Sequence, residues 1–200
     1  PMRLEELRKG LADSGLSQQS VHHCLALIRR VINKAIKWKL WSGVNPVCEL
    51  DLPQIDNARW RWLTPEEARK LLGEIARRSM QWHTIALLSL HTGMRASEIF
   101  ELHGDHVNLH NGLIRARDTK NGRSRTVYLT STARSMLKSR DLHPGKLIFT
   151  SKFGREIEEV SDSVTRAITA VGLNSGQTDR RAKVVFHALR HTYGSWLAMA

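Results

Sequence analysis

Four side chains, far apart in the chain, have the types needed to hold a phosphodiester and move a proton on it without a metal: Arg95, Lys120, His187 and Arg190. An arginine guanidinium is planar, permanently charged and matched to phosphate oxygens. A lysine ammonium can give up a proton when neighbouring arginines lower its pKa. A histidine can donate or accept near neutrality. Arg95 lies in His91-Thr92-Gly93-Met94-Arg95-Ala96-Ser97-Glu98-Ile99, and Lys120 in Thr119-Lys120-Asn121-Gly122-Arg123-Ser124-Arg125-Thr126-Val127. The other two lie in Phe186-His187-Ala188-Leu189-Arg190-His191-Thr192-Tyr193-Gly194.

Each group has a plainer reading when taken singly. Arg95 follows a glycine break, where a lone arginine is usually a solvated first-turn residue. Glu98, three positions on, shares its helical face and can pair with it. Turn lysines such as Lys120 are normally solvated, but Lys120, Arg123 and Arg125 together form a basic ribbon suited to phosphates and groove edges. His187 and Arg190 project from one helical face, and so do His187 and His191. The second pair invites a zinc reading, but the metalloprotease pattern H-E-x-x-H needs a glutamate where this chain has Ala188. His103, His106 and His110 with Asp105 fall in a turn without regular register and read as surface. Tyr193 is too close to Arg190 on one helix to approach a phosphate from the opposite side, and reads as packing.

The elements that must position these groups are mostly helical. Residues 3–13 read as a short helix. Ser17 caps a long one running to about Trp41, with Val21, Leu25, Ile28, Ile32, Ile36 and Leu40 on a three-to-four-residue beat. Gly43 and Asn45-Pro46 stop it. Residues 53–62 read as a linker. Thr64, Pro65 and Glu67 then form the capping signature of a new helix. Helices are expected to about Ser79, from about Gln81 to His91, and from Arg95 to before Gly104. Residues 112–116 and 125–129 alternate as strands around Asn121-Gly122, a strong hairpin signal. A helix over 132–139, a short strand over 146–149, a helix over 160–171 and a polar loop over 172–183 follow. A last helix starts near His187. The fold class is therefore mainly α with a small antiparallel β-sheet, α+β.

Composition narrows the partners. The 200 residues carry 31 Lys+Arg against 19 Asp+Glu, a formal charge of +12, which favours a polyanion, nucleic acid before anionic membrane. No apolar run approaches the ~20 residues of a membrane span, and the first residues lack the apolar core of a signal peptide. The two cysteines, Cys24 and Cys48, make neither a metal spacing nor a disulfide framework, which fits a reducing cytoplasm. Cys24, among apolar helix positions, is expected to be buried. An RNA-binding or ribosomal protein would satisfy the charge but leave the order of Arg95, Lys120, His187 and Arg190 unexplained.

In that order the motifs resemble the tyrosine recombinase (phage integrase) family. The phrase around Arg95 looks like its first arginine box, Lys120 its hairpin lysine, and His187 to Thr192 its second box. The resemblance implies three parts: the C-terminal part of a helical core-binding domain over 1–52, a linker over 53–62, and a catalytic domain over 63–200. It implies site-specific recombination of double-stranded DNA by strand cleavage and rejoining through a 3′-phosphotyrosine, with no cofactor and no metal. Arg95 and Arg190 would bind the phosphate, Lys120 would protonate the leaving 5′-oxygen, and His187 would assist. Glu98 and His191 would support them, and Arg59, Arg61, Arg123 and Arg125 would contact DNA. The family's later His or Trp and its nucleophilic tyrosine fall outside these residues, so the chain reads as a fragment, itself inactive in cleavage. The whole protein would form a tetrameric synapse on DNA, with a monomer one reading of the fragment, in a bacterial or phage-derived, nucleoid-associated setting. Two domains would clamp the duplex, with Trp60 and Trp62 at the hinge or along the backbone. A non-catalytic DNA-binding module of the same fold is the alternative.

Overall fold

The computed structural model describes residues 2–50, 52, 55, 56, 58–117 and 124–200, with only the backbone of Arg117. Lys120, Arg123 and the Asn121-Gly122 turn lie outside these residues. The chain divides into two compact units, Pro1–Ala58 and Arg59–Ala200.

The first unit holds helices α1 (Met2–Asp13) and α2 (Gln18–Lys37) and a 3-10 turn at Pro46–Glu49. The Ser17 hydroxyl accepts from the Ser20 N–H at 3.2 Å, as an N-cap should. α2 stops at Lys37, four residues short of the expected Trp41. Lys39 adopts a left-handed φ of 59°. Its N–H reaches the Ile36 carbonyl at 3.0 Å and the Leu40 N–H reaches that of Ala35 at 2.9 Å. That pair of bonds is a Schellman ending, with lysine in the place glycine usually takes. Leu40 consequently leaves the helical beat and is 76% exposed. The core of this unit is Val21, Leu25 and Val47, flanked by Leu4, Leu11, Ile28 and Ile32. Cys24 is half-buried rather than buried, and Cys48 is exposed.

The second unit opens with α3 (Pro65–Arg78) and α4 (Met80–Thr92). The capping box at Thr64 and Glu67 closes in both directions, at 3.2 and 2.9 Å. α5 (Ala96–Phe100), β1 (Val107–Asn108), β2 (Leu113–Arg117) and β3 (Ser124–Tyr128) follow. The strands form an antiparallel sheet in the order β1-β2-β3, with Ile114 opposite Val127 and Ala116 opposite Arg125. α6 (Ser131–Lys138), α7 (Asp162–Ala170) and α8 (Ala188–Met199) complete it. The strand expected over 146–149 is reduced to a bridge between His103 and Leu147. The fold is thus mainly α with a small antiparallel sheet.

One core fills this unit, built from α3, α4, the inner sheet face and α7, with Leu71, Ile75, Ile85, Leu88, Ile114 and Phe149 fully enclosed. Trp82 meets Phe100 and Phe186 edge-on at 5.7 and 6.3 Å. No helix among the described residues is long and apolar enough to cross a membrane.

Candidate active site

The site begins where α4 ends. α4 is buried almost all round, from Trp82 to Thr92, so its C-terminus is held firmly. Gly93 terminates it with φ 63°, the conformation glycine adopts without steric cost. The Gly93 N–H bonds to the Ser89 carbonyl at 3.0 Å, and the Ser89 hydroxyl donates to the Met94 carbonyl at 3.0 Å. The Met94 N–H reaches the Thr92 hydroxyl at 3.3 Å. Two side chains of α4 therefore stitch down the turn that delivers Arg95.

Arg95 stands at the N-cap of α5, and its backbone N–H donates to Glu98 Oε2 at 2.8 Å. Its guanidinium returns to the same carboxylate, Nη1 to Oε1 at 2.9 Å. The i,i+3 pairing read from the sequence therefore forms. The Glu98 side chain is only 3% exposed, and two further arginines come to it. Arg125, on β3, places Nη2 at 2.8 Å from Oε2 and Nε at 3.4 Å from Oε1. Arg190, on α8, lies 3.9 Å from Oε2 and also donates to the Gly93 carbonyl. Burial alone would push the Glu98 carboxyl up. The hydrogen bond from Arg125, the Arg95 N–H and both guanidinium charges outweigh it and hold the group below the ordinary glutamate range.

α8 is tied in place from its far side. The buried Thr192 hydroxyl accepts from the Leu63 N–H at 2.9 Å and donates to the Ala188 carbonyl at 2.7 Å. The Trp196 indole N–H donates to the Leu63 carbonyl at 3.0 Å. One residue at the mouth of α3 thus fixes the helix that carries Arg190. Tyr193 lies with its ring on Gly93: a Cβ added there would sit 2.5 Å from its Cδ1. Its position is that of a packing residue.

His187 occupies the N-cap of α8, and its ring meets that of His191 edge-on at 4.8 Å. Burial lowers its pKa, and the charges of His191, Arg190, Arg95 and Arg59 lower it further. These surroundings favour the neutral imidazole over the charged one, and His187 lies in electrostatic range of both box arginines. Among the described residues no group of three His, Cys, Asp or Glu side chains is placed to hold a metal ion.

The arginines expected from the sequence to contact DNA have the following partners within the second unit. Arg59 donates to the carbonyls of Arg180 and Lys183, both at 3.1 Å. Arg61 bonds to the Trp62 carbonyl at 2.6 Å and pairs with Glu67 at 2.5 Å, bracing the start of α3. Arg125 turns inward to Glu98. Trp60 and Trp62 are exposed. The motifs place Arg95 and Arg190 at one phosphate; the arrival of Arg125 at Glu98 is what the sequence reading missed, although β-alternation carries its signal: it lies two residues from the buried Val127 and opposite the buried Ala116.

The chain belongs to the phage integrase family, whose model matches residues 61–200. It is 35% identical over 115 residues to a shufflon-specific DNA recombinase of Escherichia coli, covering 57% of this chain and 30% of that protein. It is 29% identical over 199 residues to the tyrosine recombinase XerA of Thermococcus kodakarensis, covering 97% of this chain and 65% of that protein. The Tn1549 transposon integrase, solved in complex with circular intermediate DNA, superposes with a TM-score of 0.74 at 19% identity over 97% of this chain and 71% of its own. That last likeness is one of fold. The chain spans less than two thirds of the length of these two curated relatives.

Proposed function

We propose that this chain is part of a site-specific DNA recombinase that cuts and rejoins strands through a 3′-phosphotyrosine. The observation that carries the reading is the meeting of Arg95 and Arg190, from opposite ends of the second unit, at the buried carboxylate of Glu98. Nothing local brings them together. In attack on phosphorus, negative charge builds on the non-bridging oxygens, and preorganised guanidinium donors stabilise it. The Arg95 side chain is 40% exposed and bonds Glu98 through Nη1, so the rest of its donor fork serves the phosphate. His187, in electrostatic range of both arginines, hydrogen-bonds a phosphate oxygen or takes the nucleophile's proton. Lys120 is assigned, from the sequence motif, to protonate the departing 5′-oxygen. No nucleotide is hydrolysed, because the phosphotyrosyl bond retains the energy for rejoining. Neither tyrosine of these 200 residues takes the nucleophile's role: Tyr193 packs on Gly93, and Tyr128 stands on the outer sheet face.

Double-stranded DNA is the partner, bound largely through phosphates, as the charge of +12 favours. The test uses the protein expressed from its complete reading frame and a duplex nicked beside the cleavage site. A covalent protein–DNA band on a denaturing gel is expected, and Arg95→Ala should cost about 3 kcal/mol of transition-state stabilisation, as for loss of one oxyanion donor. An undiminished band from Arg95→Ala, or one abolished by Tyr193→Phe, overturns the assignment of roles.

A further inference from the structure

Arg125 has the appearance of a DNA contact in the sequence, one turn-side cation among several. Its register says otherwise. On β3, Ser124, Thr126 and Tyr128 face solvent, while Val127 is buried and Arg125 lies on the same inner face. From there its guanidinium spans both oxygens of Glu98, at 2.8 and 3.4 Å. Those two oxygens also take the backbone N–H and Nη1 of Arg95, and one of them lies 3.9 Å from Arg190. Hydrogen bonds from Arg95 and Arg125 reach both carboxylate oxygens, and loss of the Arg125 bonds would leave those from Arg95, at the start of the same helix, to orient them.

We propose that Arg125 is a positioning residue: it locks Glu98, and through Glu98 it sets the geometry of Arg95 and Arg190, without itself touching the phosphate. The same bond ties β3 to the start of α5. This inference rests on the recombinase reading above and deepens it.

The experiment compares the wild-type protein, from its complete reading frame, with Arg125→Gln, Arg125→Lys and Arg95→Ala. Duplex affinity is measured across a salt series, and single-turnover cleavage of the nicked duplex is measured at saturating protein. For Arg125→Gln, the expected result is an unchanged slope of log affinity against log salt and a cleavage rate at least about tenfold lower, since a misplacement of about 1 Å can cost about 100-fold. Arg125→Lys should be equally slow, because one ammonium cannot span two carboxylate oxygens as a guanidinium does. A slope reduced by about 0.9, the mark of one lost phosphate contact, overturns the proposal. So does a wild-type rate in Arg125→Gln, or full rescue by lysine, which would make charge alone sufficient. If Arg125→Gln does not fold, Arg125→Lys carries the test. A lysine variant that also fails to fold assigns Arg125 to the fold alone and overturns the proposal. Arg95→Ala separates the two levels. If it cleaves normally, the recombinase reading of the site falls. If it is dead while Arg125→Gln is active, only the role of Arg125 falls.

Discussion

Helices α2 and α4 show how differently the two units enclose their side chains. α2, the longer at 20 residues, fully buries only Val21 and Leu25 and leaves Leu27 and Val31 about 60% exposed. α4, with 13 residues, buries nearly every position from Trp82 to Thr92. A side chain is held by the atoms packed around it, and close-packed interiors transmit displacement rather than absorb it. Arg95 emerges three residues after α4, a helix enclosed on nearly every side, while the cations of α2 stand on a solvated helix. Arg95, assigned above to the phosphate, leaves from the end where geometry is over-determined. The first unit, with a core of three buried side chains, is expected at the low end of local stability. Its amides should exchange with solvent before those of α4.

The sharpest way to break this contrast is to loosen the rigid side. Glu98→Gln removes the charge on which three guanidinium groups converge. The expected loss is about 3 kcal/mol, the low end for a broken buried ion pair, because the arginines remain 29–40% exposed and water screens them. The acid limb carries a second signature. The folded pKa of Glu98 is depressed, so its contribution is present above the unfolded pKa and is lost as pH falls through the folded one. Urea melts across the acid range should therefore show a steeper loss of stability in the wild type than in Glu98→Gln. Equal slopes would mean that the carboxylate is not held as described.

Gly93→Ala tests the same region through backbone rather than charge. A left-handed φ of 63° disfavours any Cβ, by about 1–2 kcal/mol. The new methyl would also lie 2.5 Å from the Tyr193 ring, an overpacking that typically costs about 1–3 kcal/mol. The combined loss should be about 2–5 kcal/mol in a denaturant melt. Pairing it with Tyr193→Ala should restore the steric part relative to Tyr193→Ala alone. If the double variant shows purely additive losses, the ring does not rest on that glycine.

Much of this arrangement was legible beforehand because its signals are local. The capping box at Thr64 and Glu67, the break at Gly93 and the Arg95–Glu98 spacing are all written within a few residues. Two things were not. The early end of α2 depends on Lys39 taking a conformation usually reserved for glycine, so propensity points past it to Trp41. The pairing of Arg95 with Arg190 follows from the order of the motifs, but Arg125 reaches Glu98 from β3, and no spacing along the chain records that partner. The partners of Arg59 were hidden for the same reason, because the carbonyls of Arg180 and Lys183 lie more than a hundred residues away and leave no mark beside it.

In the loosely enclosed unit a polar anchor does more than its size suggests. Asn45 is buried, and its amide donates to the Arg29 carbonyl at 2.9 Å and to Asn33 at 2.7 Å, while its oxygen accepts from the Val47 N–H at 3.0 Å. Asn45→Ala leaves those partners unsatisfied, at a cost of about 1–3 kcal/mol. Hydrogen exchange should show faster opening in residues 18–50 and no change in α4. Faster exchange in α4 as well would mean that the two units do not open separately.

The smallest effect should run the other way. Lys39 closes α2 in the left-handed region, φ 59°, where the two bonds of the Schellman ending need it. A Cβ in that conformation costs roughly 1–2 kcal/mol. Glycine removes this strain but enlarges the conformational freedom of the unfolded chain, which returns about 0.4–1 kcal/mol of the gain. The difference favours Lys39→Gly by about 0.5–1 kcal/mol, read as slower hydrogen exchange near the end of α2. The lysine side chain is exposed and has no packing to lose, so no opposing contribution of similar size comes from the folded state. Lys39→Ala separates the alternatives, because it deletes the charge and keeps the Cβ. It should leave exchange unchanged. If alanine stabilises as much as glycine, the relevant cost was repulsion among Lys34, Lys37 and Lys39 rather than backbone strain, and the solvated helix is limited by its charge.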